Sequence, residues 1–510
     1  MKIRIFAAGL LFLLPLAFAA APPNEWLTWG YDPERTGWNQ AETTLSKDNV
    51  SQLELKWKTQ LSTAPNEVIL STLTAPLVAN VNARTLVYVV GSDNTVYAID
   101  SATGKVAWQR PFPNPLKPRV PSTWLCSNSQ NATPAIDKDA GIIYVSTSDG
   151  KLRGLNLEDG ADRMPAVDFT TPYARNWSLN LVDGVIYSSS ARGCGDTVAH
   201  FTALDVKDPG HRKVEFFTSG GRPAGAWGRG GLVRGPRGMY AQTADGVYDP
   251  AGGIWGETLM SLHFRDLRLM DSYTPTNWQA LNAKDQDLGS ASPVVFPFDK
   301  WTFVASAAKE SVITLLDDED LGGQFDHHTP LYQTARWGND GLLLAGQGVW
   351  GALATWQDAQ GKRWLLVPMW GPPSKDAPAF PVSYGPAAEG SVMAFEVRLN
   401  DKKDKPMVIP TWMSRNMHVP DPPVVANGVV YALQTGENVL QNQAIANAKF
   451  RSTPVTNAVL YALDAETGKE LYSSDKLIDS WTHFSEPVVA GGKVYVSTWD
   501  GRVYCFGLKK

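Results

Sequence analysis

The sequence predicts an all-β protein, an eight-bladed β-propeller of four-stranded antiparallel blades. The first observation is an internal repeat in which two alternating apolar strands, at residues 86–90 and 95–99, flank a short polar turn. A tight corner at residues 100–104 and the large ring of Trp108 follow. The second observation is the return of this pattern at residues 459–469, with an aromatic residue again behind it. Such a unit buries its apolar faces only against neighbouring repeats, so it reads as one propeller blade.

The composition agrees with a chain of short strands and frequent turns. The 510 residues include 44 Gly, 35 Pro and 19 Trp, which suit turns and aromatic packing better than long helices. A closed repeat architecture makes one large domain from a chain of this length. The net charge of −5 and the lack of a long basic run disfavour nucleic acid as a partner.

The N-terminus predicts a secretory signal peptide over residues 1–21. Lys2 and Arg4 supply its charged region, an apolar run continues to about Phe18, and small residues at 17 and 19–21 fit a cleavage site. A membrane anchor is the alternative, but the apolar run is short for a span and two prolines follow it. We therefore expect a periplasmic or secreted protein with no membrane insertion after cleavage.

Eight repeats follow an aromatic-rich N-terminal segment (26–38) and an alternating strand at 53–57. They span about residues 75–108, 133–165, 177–217, 231–273, 290–332, 348–412, 421–472 and 486–506. The last repeat lacks an outermost strand, so the strand at 53–57 is predicted to complete it and close the ring. Radial repetition of this kind protects the sheet edges. Residues 22–510 are thus expected to form one propeller domain.

The three cysteines allow two interpretations. Cys126 and Cys194 fall on turns of neighbouring repeats, and an exported protein permits one disulfide between them. The alternative is that both are buried free thiols, like Cys505. No Cys-x-x-Cys-His motif for a c-type haem occurs, and the seven histidines show no metal-ligand spacing. No Gly-x-Ser-x-Gly or Walker-type loop supports hydrolase or nucleotide chemistry.

The corner motif carries a resemblance to a known family. Ala-x-Asp-x-x-Thr-Gly-Lys, at residues 98–105 and 462–469, resembles the tryptophan-docking motif of PQQ-like (quinoprotein alcohol dehydrogenase-like) eight-bladed β-propellers. PQQ is pyrroloquinoline quinone, and residues 26–50 resemble the opening of PQQ-dependent alcohol dehydrogenases. The resemblance covers nearly the whole chain beyond residue 21. It implies an oxidoreductase that acts on an alcohol or sugar and passes electrons to a separate acceptor.

The resemblance also implies cofactor contacts. PQQ is a flat tricarboxylate, which needs an aromatic face to lie on and cations or donors for its carboxylates. Trp227 falls where the family places the tryptophan beneath the cofactor, and Lys309 where it places a cation against the quinone oxygens. Trp350 and Trp481 are further aromatic candidates, and Arg192 is a candidate partner for a ligand carboxylate. For the tryptophans, ordinary packing is the alternative.

Three aspartates are the implied metal and catalytic residues. In the family's dehydrogenases, Ca²⁺ held by oxygen ligands polarises the quinone carbonyl, and an aspartate takes the alcohol proton. Asp245, in Thr-Ala-Asp-Gly, is the candidate Ca²⁺ ligand. Asp285 and Asp287, in Asp-Gln-Asp-Leu-Gly, are both eligible as the catalytic base. A hairpin turn and a polar loop are the plainer interpretations of these two segments.

Departures from the family pattern support a second hypothesis. The family often carries two adjacent cysteines beneath the cofactor, but Cys126 stands alone, and no arginine follows near Gln130. Where the family has a Ca²⁺-binding glutamate, this sequence has a loop that contains Arg192. The alternatives are therefore an exported oxidoreductase that binds PQQ or a related polyanionic ligand, and a non-catalytic propeller that serves as an interaction scaffold in the cell envelope. If the first is right, the candidate residues should meet on one face of the central funnel.

Overall fold

Antiparallel sheets arranged as eight propeller blades make up the fold, as the sequence predicted. The structure is a computed structural model that describes residues 24–509 except 67–68, 70, 124–125, 130–131, 192, 222–223, 342–346 and 439–454. The predicted signal peptide and most of the insertion predicted near 441–456 lie outside the described residues. In the described part, no helix has the length and apolarity needed to cross a membrane.

The first half of the chain builds four blades after two strands that join the sheets of blades 7 and 8, β1 (Trp38–Asn39) and β2 (Leu53–Gln60). Blade 1 comprises β3 (Leu77–Val81), β4 (Arg84–Val90), β5 (Thr95–Asp100) and β6 (Val106–Pro111). Blade 2 comprises β7 (Ala135–Asp137), β8 (Ile142–Ser146), β9 (Lys151–Asn156) and β10 (Asp162–Asp168). Blade 3 comprises β11 (Asn180–Val182), β12 (Val185–Ser190), β13 (His200–Asp205) and β14 (Lys213–Phe217). Blade 4 runs through β15 (Val233–Arg234), β16 (Met239–Gln242), the inserted hairpin β17 (Tyr248–Asp249) and β18 (Ile254–Trp255), then β19 (Leu259–Leu262) and β20 (Leu269–Tyr273).

The second half builds the other four blades. Helix α1 (Trp278–Ala283) and β21 (Ala291–Ser292) precede blade 5, which comprises β22 (Val294–Phe298), β23 (Trp301–Ser306), β24 (Val312–Asp317) and β25 (Tyr332–Arg336). Blade 6 contains β26 (Gly348–Val349), β27 (Gly351–Ala352), β28 (Ala354–Gln357), β29 (Arg363–Trp370), β30 (Val382–Ser383), β31 (Gly390–Leu399) and β32 (Pro406–Met413). Blade 7 comprises β33 (Val424–Ala426), β34 (Val429–Gln434), β35 (Val459–Asp464) and β36 (Glu470–Ser473). Blade 8 comprises β37 (Val488–Ala490), β38 (Lys493–Ser497) and β39 (Arg502–Leu508).

Strand β2 closes the ring by completing blade 8. It pairs antiparallel with β39, the last strand of the chain, and the sheet order is β2-β39-β38-β37. The prediction that the strand at 53–57 supplies the missing outermost strand is confirmed. Closure by two distant segments protects the edge that an open last blade would expose.

Tryptophans of one blade dock on the corner of the next. Each indole Nε1 donates a hydrogen bond to a backbone carbonyl there: Trp57 to Ser101 at 3.0 Å, Trp108 to Leu157 at 3.1 Å, and Trp412 to Ala465 at 3.2 Å. The corner needs a glycine beneath the ring. At Gly104, where φ is +72°, an added Cβ would lie 2.7 Å from Cγ of Trp57. The repeated motif is therefore a contact between blades.

Residues Trp26–Asn39, here called the N-terminal belt, run along the innermost strands of the blades. Their contacts go round the ring in order: Trp26 with Val78, Leu27 with Ile136, Pro33 with Asn180 and Arg234, Glu34 with Val295, Thr36 with Thr355, Gly37 with Val425, and Asn39 with Val489. In each pair the first residue belongs to the belt, the second belongs to the innermost strand of a blade, and a hydrogen bond joins the two. The belt thereby satisfies polar groups on the inner edges of all eight blades and fastens them together.

Cys126 and Cys194 form a disulfide bond, which confirms the predicted pairing. It joins the loop before blade 2 to the turn that follows β12 in blade 3. Cys505 is a free thiol inside blade 8, where burial raises its pKa to about 12. Disulfide bonds persist in oxidising environments, and a buried thiol with a raised pKa is chemically inert.

Substitution of Gly104 by alanine should weaken ring closure. Gly141 also has a positive φ, of +67°, but an added Cβ there meets no atom within 4 Å, so Gly141→Ala isolates the backbone cost. We expect Gly141→Ala to lower the free energy of unfolding by about 1–2 kcal/mol. Gly104→Ala should cost at least about 1 kcal/mol more, because the Trp57 ring is displaced. Urea unfolding of both variants measures the difference, and equal losses would contradict a docking role for the corner.

Candidate active site on the propeller axis

The predicted site residues lie at one end of the ring. In an antiparallel blade, the start of the innermost strand and the end of the second strand share an end. Trp227, Asp287 and Trp350 precede the innermost strands of blades 4, 5 and 6, whereas Asp245 and Lys309 follow the second strands of blades 4 and 5. All five therefore belong to loops at the same end of the propeller.

Five aromatic side chains meet on the axis at this end and are here called the aromatic floor: Trp177, Trp227, Trp350, Trp370 and Phe484. Trp350 stacks on Trp370 with ring centroids 4.8 Å apart, and Trp227 lies tilted against Trp350 at 5.2 Å. Phe484 packs against this group and lies 6.0 Å from Trp177. These five residues come from blades 3, 4, 6 and 8. Because loops of such separate blades come together only near the axis, the aromatic floor lies there. The half-buried Trp227 leaves part of this floor open to a ligand.

Lys309 lies against the floor with its ammonium group among carboxylates. Its Nζ is 2.6 Å from Oδ2 of Asp287 and 3.5 Å from Oδ2 of Asp285, and it donates to the backbone carbonyl of Asp285 at 2.9 Å. The same atom lies 4.8 Å from the ring centroid of Trp350 and 5.4 Å from that of Trp227. Lys309 is 5% exposed, so these charge and cation–π contacts act in a poorly solvated place.

The backbone of Lys309 is fixed on both sides. Its N–H donates to Oγ of Ser290 at 3.1 Å, and its carbonyl accepts from Nδ2 of Asn339 at 2.7 Å. Gly348 passes so close that an added Cβ would lie 2.1 Å from the Lys309 carbonyl oxygen, and its φ of +93° also favours glycine. These contacts set the position of the ammonium group before any ligand arrives.

Two further acids border this ion pair. The N–H of Asp245 donates to Oδ1 of Asp287 at 3.1 Å, and the N–H of Leu288 donates to Oε2 of Glu257 at 2.6 Å. Glu257 is fully buried, and its Oε1 has no hydrogen-bond partner within the described part of the chain. Asp245, Glu257, Asp285 and Asp287 with Lys309 are here called the Lys309 cluster.

The pKa values of the cluster are shifted by burial and by its own charges. Burial, and next the charge of Asp287, raise the pKa of Glu257 well above its ordinary value. The same two causes raise the pKa of Asp285 to about 6. Burial alone would lower the pKa of Lys309, but the Asp287 and Asp285 charges outweigh it and leave that pKa raised. The cluster therefore holds a firm ammonium beside a carboxyl that titrates near neutral pH.

A second charged pair lies beneath Phe484. Nη1 of Arg229 is 2.9 Å from Oδ1 of Asp421, both side chains are buried, and the guanidinium carbon lies 3.7 Å from the Phe484 ring centroid. Nε and Nη2 of Arg229 have no hydrogen-bond partner among the described residues. Beside it, Nδ1 of His483 is 2.6 Å from Oε2 of Glu437. Two unused donors in a buried guanidinium are suited to an anionic ligand.

The structure brings most of the predicted residues together. Trp227, Trp350, Lys309 and the three predicted aspartates share the axial site. Trp481 lies apart from these contacts, stacked on Trp499 at 5.2 Å. Arg192 lies outside the described residues. Sequence reasoning missed Glu257 and Arg229. Arg229 stands two residues after Trp227 in the same glycine-rich loop, which was a usable signal, whereas nothing near Glu257 marked it.

Comparisons with known proteins agree with this fold. A family model described as "Outer membrane protein assembly factor BamB" matches residues 45–190. A 1-butanol dehydrogenase (cytochrome c) from Thauera butanivorans is 25% identical over 256 residues, 48% of this chain and 35% of that protein. The quinohemoprotein alcohol dehydrogenase ADH-IIG from Pseudomonas putida is 25% identical over 207 residues, 39% of this chain and 26% of that protein. The matches thus span about a third and a quarter of these relatives.

A solved structure extends the likeness to the whole propeller. The quinohemoprotein alcohol dehydrogenase ADHIIG from Pseudomonas putida HK5 superposes with a TM-score of 0.62 and 15% identity, over 95% of this chain and 80% of that chain. At that identity the match shows the fold alone. Together the comparisons and the eight blades support the PQQ-like propeller that the sequence predicted.

The site fits a flat anionic ring better than it fits a metal ion. The half-exposed face of Trp227, the ammonium of Lys309 and the two unused donors of Arg229 match a planar polycarboxylate. The fit to a Ca²⁺ ion is poorer, because Nζ of Lys309 already lies 2.6 Å from Oδ2 of Asp287, the carboxylate that adjoins the predicted ligand Asp245. No three His, Cys, Asp or Glu side chains in the described ranges are grouped to hold a metal ion.

The raised pKa of Asp285 predicts a pH dependence of stability. Its ordinary pKa is 3.8, so between about pH 4 and 6 the folded chain holds a proton that the unfolded chain has released. The free energy of unfolding should therefore fall as pH rises through this window. Asp285→Asn should reduce that fall, and asparagine tolerates the positive φ of +54° at this position. Urea unfolding across the window measures it, and the same pH dependence in both proteins would refute the assignment.

Proposed function

We propose that this PQQ-like β-propeller is an exported quinoprotein-type oxidoreductase that oxidises an alcohol on the axis and passes the electrons to a separate acceptor. The observation that carries the proposal is the position of Lys309, held between the rings of Trp227 and Trp350 and the carboxylates of Asp285 and Asp287. The names of the two relatives, an alcohol dehydrogenase and a butanol dehydrogenase, support the substrate class. The predicted signal peptide supports export.

The residues that would bind the cofactor are those with an accessible ring face or a positively charged side chain. Trp227 would lie against one face of PQQ, Lys309 would donate to its carbonyl oxygens, and Arg229 would bind a carboxylate. PQQ bound there would supply the acceptor for the hydride of the alcohol carbon. Asp287 already orients the N–H donors of Lys309, so these donors would reorient little when a ligand binds.

Asp285 is the better candidate for the proton acceptor. Its side chain is 36% exposed, whereas that of Asp287 is 4% exposed and bound to Lys309. A substrate hydroxyl therefore reaches Asp285 more easily. With a pKa of about 6, Asp285 is a carboxylate at neutral pH and still basic enough to take a proton. Asp287 then acts as a positioning residue, since it fixes the ammonium of Lys309.

An interaction scaffold in the cell envelope is the second candidate function. The observation that favours it is the match of residues 45–190 to the family described as an outer membrane protein assembly factor. Those residues build blades 1 and 2 and the first half of blade 3, whereas the axial site is contributed mainly by blades 4–6. A scaffold would need no ammonium among buried acids on its axis. Binding of PQQ therefore separates the two candidates.

Titration of the full chain with PQQ, with and without Ca²⁺, tests the proposal directly. We expect one-to-one binding by calorimetry, weakened at least about tenfold in Trp227→Leu through loss of the ring face. The matched control is Trp301→Leu, whose indole also lies under a lysine, Lys300, at 4.6 Å but belongs to a hairpin of blade 5 away from the cluster. Absence of binding under both conditions would favour the scaffold.

The pH profile of turnover tests the role of Asp285. With PQQ and an artificial electron acceptor, kcat should rise with pH through about 6, because only the carboxylate accepts a proton. Asp285→Asn should remove this inflection and lower kcat by roughly 10²-fold or more. Asp318 is the control: burial also raises its pKa to about 6, but it lies beside Arg237 in blade 5. An unchanged profile in Asp285→Asn, or its loss in Asp318→Asn, would assign the inflection elsewhere.

A further inference from the structure

We propose that Asn339 is a positioning residue of the axial site, because its side-chain amide ties the backbone of Lys309 to the side chain of Gln286. Gln286 stands between the two aspartates that contact the Lys309 ammonium. The bridge thereby sets the distance between the ammonium and Asp285. Its effect on turnover rests on the proposed function, whereas its effect on the position of the ammonium rests on contacts within the chain.

The bridge consists of two hydrogen bonds from one nitrogen atom. Nδ2 of Asn339 donates to Oε1 of Gln286 at 2.5 Å and to the backbone carbonyl of Lys309 at 2.7 Å. Asn339 and Gln286 are both buried, so water does not replace these bonds when they are lost. One amide therefore holds the turn that carries Lys309 and the segment that carries the acids at a fixed separation.

The segment that carries Asn339 is itself fastened on two sides. The N–H of Trp337 donates to the carbonyl of Ser311 at 2.9 Å, and the carbonyl of Trp337 accepts from the N–H of Ser374 at 2.8 Å. Ser311 belongs to the turn of blade 5 that carries Lys309, and Ser374 belongs to a loop of blade 6. The amide of Asn339 is thus a fixed point between two blades, and it can position the groups that it contacts.

The backbone at position 339 restricts which residue can form the bridge. Its φ is +54°, a conformation that glycine, asparagine and aspartate accept most readily. Of these three, only asparagine carries a side-chain N–H donor. The two segments that it joins also contain residues with positive φ, Asp285 at +54° and Ser311 at +64°. Such conformations persist where surrounding contacts hold them, which is what the bridge does.

The pKa of Asp285 depends on where the ammonium lies. Burial and then the charge of Asp287 raise this pKa, the ammonium of Lys309 lowers it, and the charge of Asp245 adds to the rise. Nζ of Lys309 is 3.5 Å from Oδ2 of Asp285. If the bridge is removed and the ammonium moves away, the pKa of Asp285 should rise further. Asp285 therefore reports the position of Lys309 without any ligand.

The first experiment compares Asn339→Gly with Asn427→Gly in urea unfolding of the full chain without PQQ. Asn427 is a matched control: its φ is also positive, at +46°, and its Nδ2 donates to the carbonyl of Leu45 at 2.9 Å, in a hairpin of blade 7. The free energy of unfolding should fall with pH up to about 6 in the unmodified chain. In Asn339→Gly that upper limit should rise by at least about half a pH unit. Asn427→Gly should leave the limit unchanged, and adding Asp285→Asn should abolish the shift.

A second variant breaks the bridge from its other end. Gln286→Met keeps the length of the side chain and removes the acceptor, so it should shift the limit in the same direction. The double variant Asn339→Gly with Gln286→Met should shift it no further than the larger single variant, because one bridge is lost in each case. Shifts that add would show two independent roles and overturn the inference. If Asn339→Gly does not fold, Gln286→Met carries the test.

Turnover with PQQ and an artificial electron acceptor gives the second readout. In Asn339→Gly, kcat should fall about tenfold and its inflection should move to higher pH, because the ammonium is misplaced. The Kd for PQQ should change less than about threefold, since Trp227 and Arg229 keep their places. An unchanged pH limit together with an unchanged kcat profile, or equal changes in Asn427→Gly, would overturn the inference. Absence of turnover in the unmodified chain would count against the proposed function, and the shift measured without PQQ would still decide whether Asn339 positions the ammonium.

Discussion

The rest of the structure depends on satisfying the inner edges of eight blades at once. Each innermost strand presents free backbone groups toward the axis, and a wide ring leaves them exposed unless something pairs with them. The N-terminal belt does this, contacting the blades in order from Trp26 at blade 1 to Asn39 at blade 8. The belt runs beside these strands, and the loops that precede them build a site at one end of the ring.

Docked tryptophans make that arrangement rigid. Trp57 is the example that joins both ends of the chain: its strand β2 completes blade 8, and its indole lies on the corner of blade 1. One residue therefore closes the ring both by sheet pairing and by packing between blades. Rigid blades matter for the site, because the contacts on the axis join loops far apart in sequence. Arg229 and Asp421, 192 positions apart, meet at 2.9 Å only if every blade between them holds its place.

Some features of the molecule are set by local sequence patterns and others by contacts between residues far apart in sequence. This difference explains how much of the molecule the sequence predicted. The corner motif, the repeats and the closing strand are local patterns, and the structure confirms them. Trp227, Lys309 and Asp287 were found through a family resemblance, and they meet as expected. Glu257 was missed because it follows the inserted hairpin β17–β18, and its carboxylate is held in the cluster by the N–H of Leu288, which precedes the next blade. Pairings between loops of different blades, such as His483 with Glu437, leave no periodic trace in a sequence.

The chemistry of the site follows from placing a lysine where several acids converge. A metal ion could polarise a ligand without sharing protons, whereas an ammonium polarises it by donating hydrogen bonds in fixed directions. Asp287 sets those directions by accepting a hydrogen bond from Lys309. Asp287 is itself held in place by the N–H of Asp245, which donates to its carboxylate. Asp285 is left as the more exposed acid, with a pKa near 6. In the proposed function, charge stabilisation and proton transfer would thus be divided between two aspartates separated by a single residue, and the ammonium that both contact would couple them.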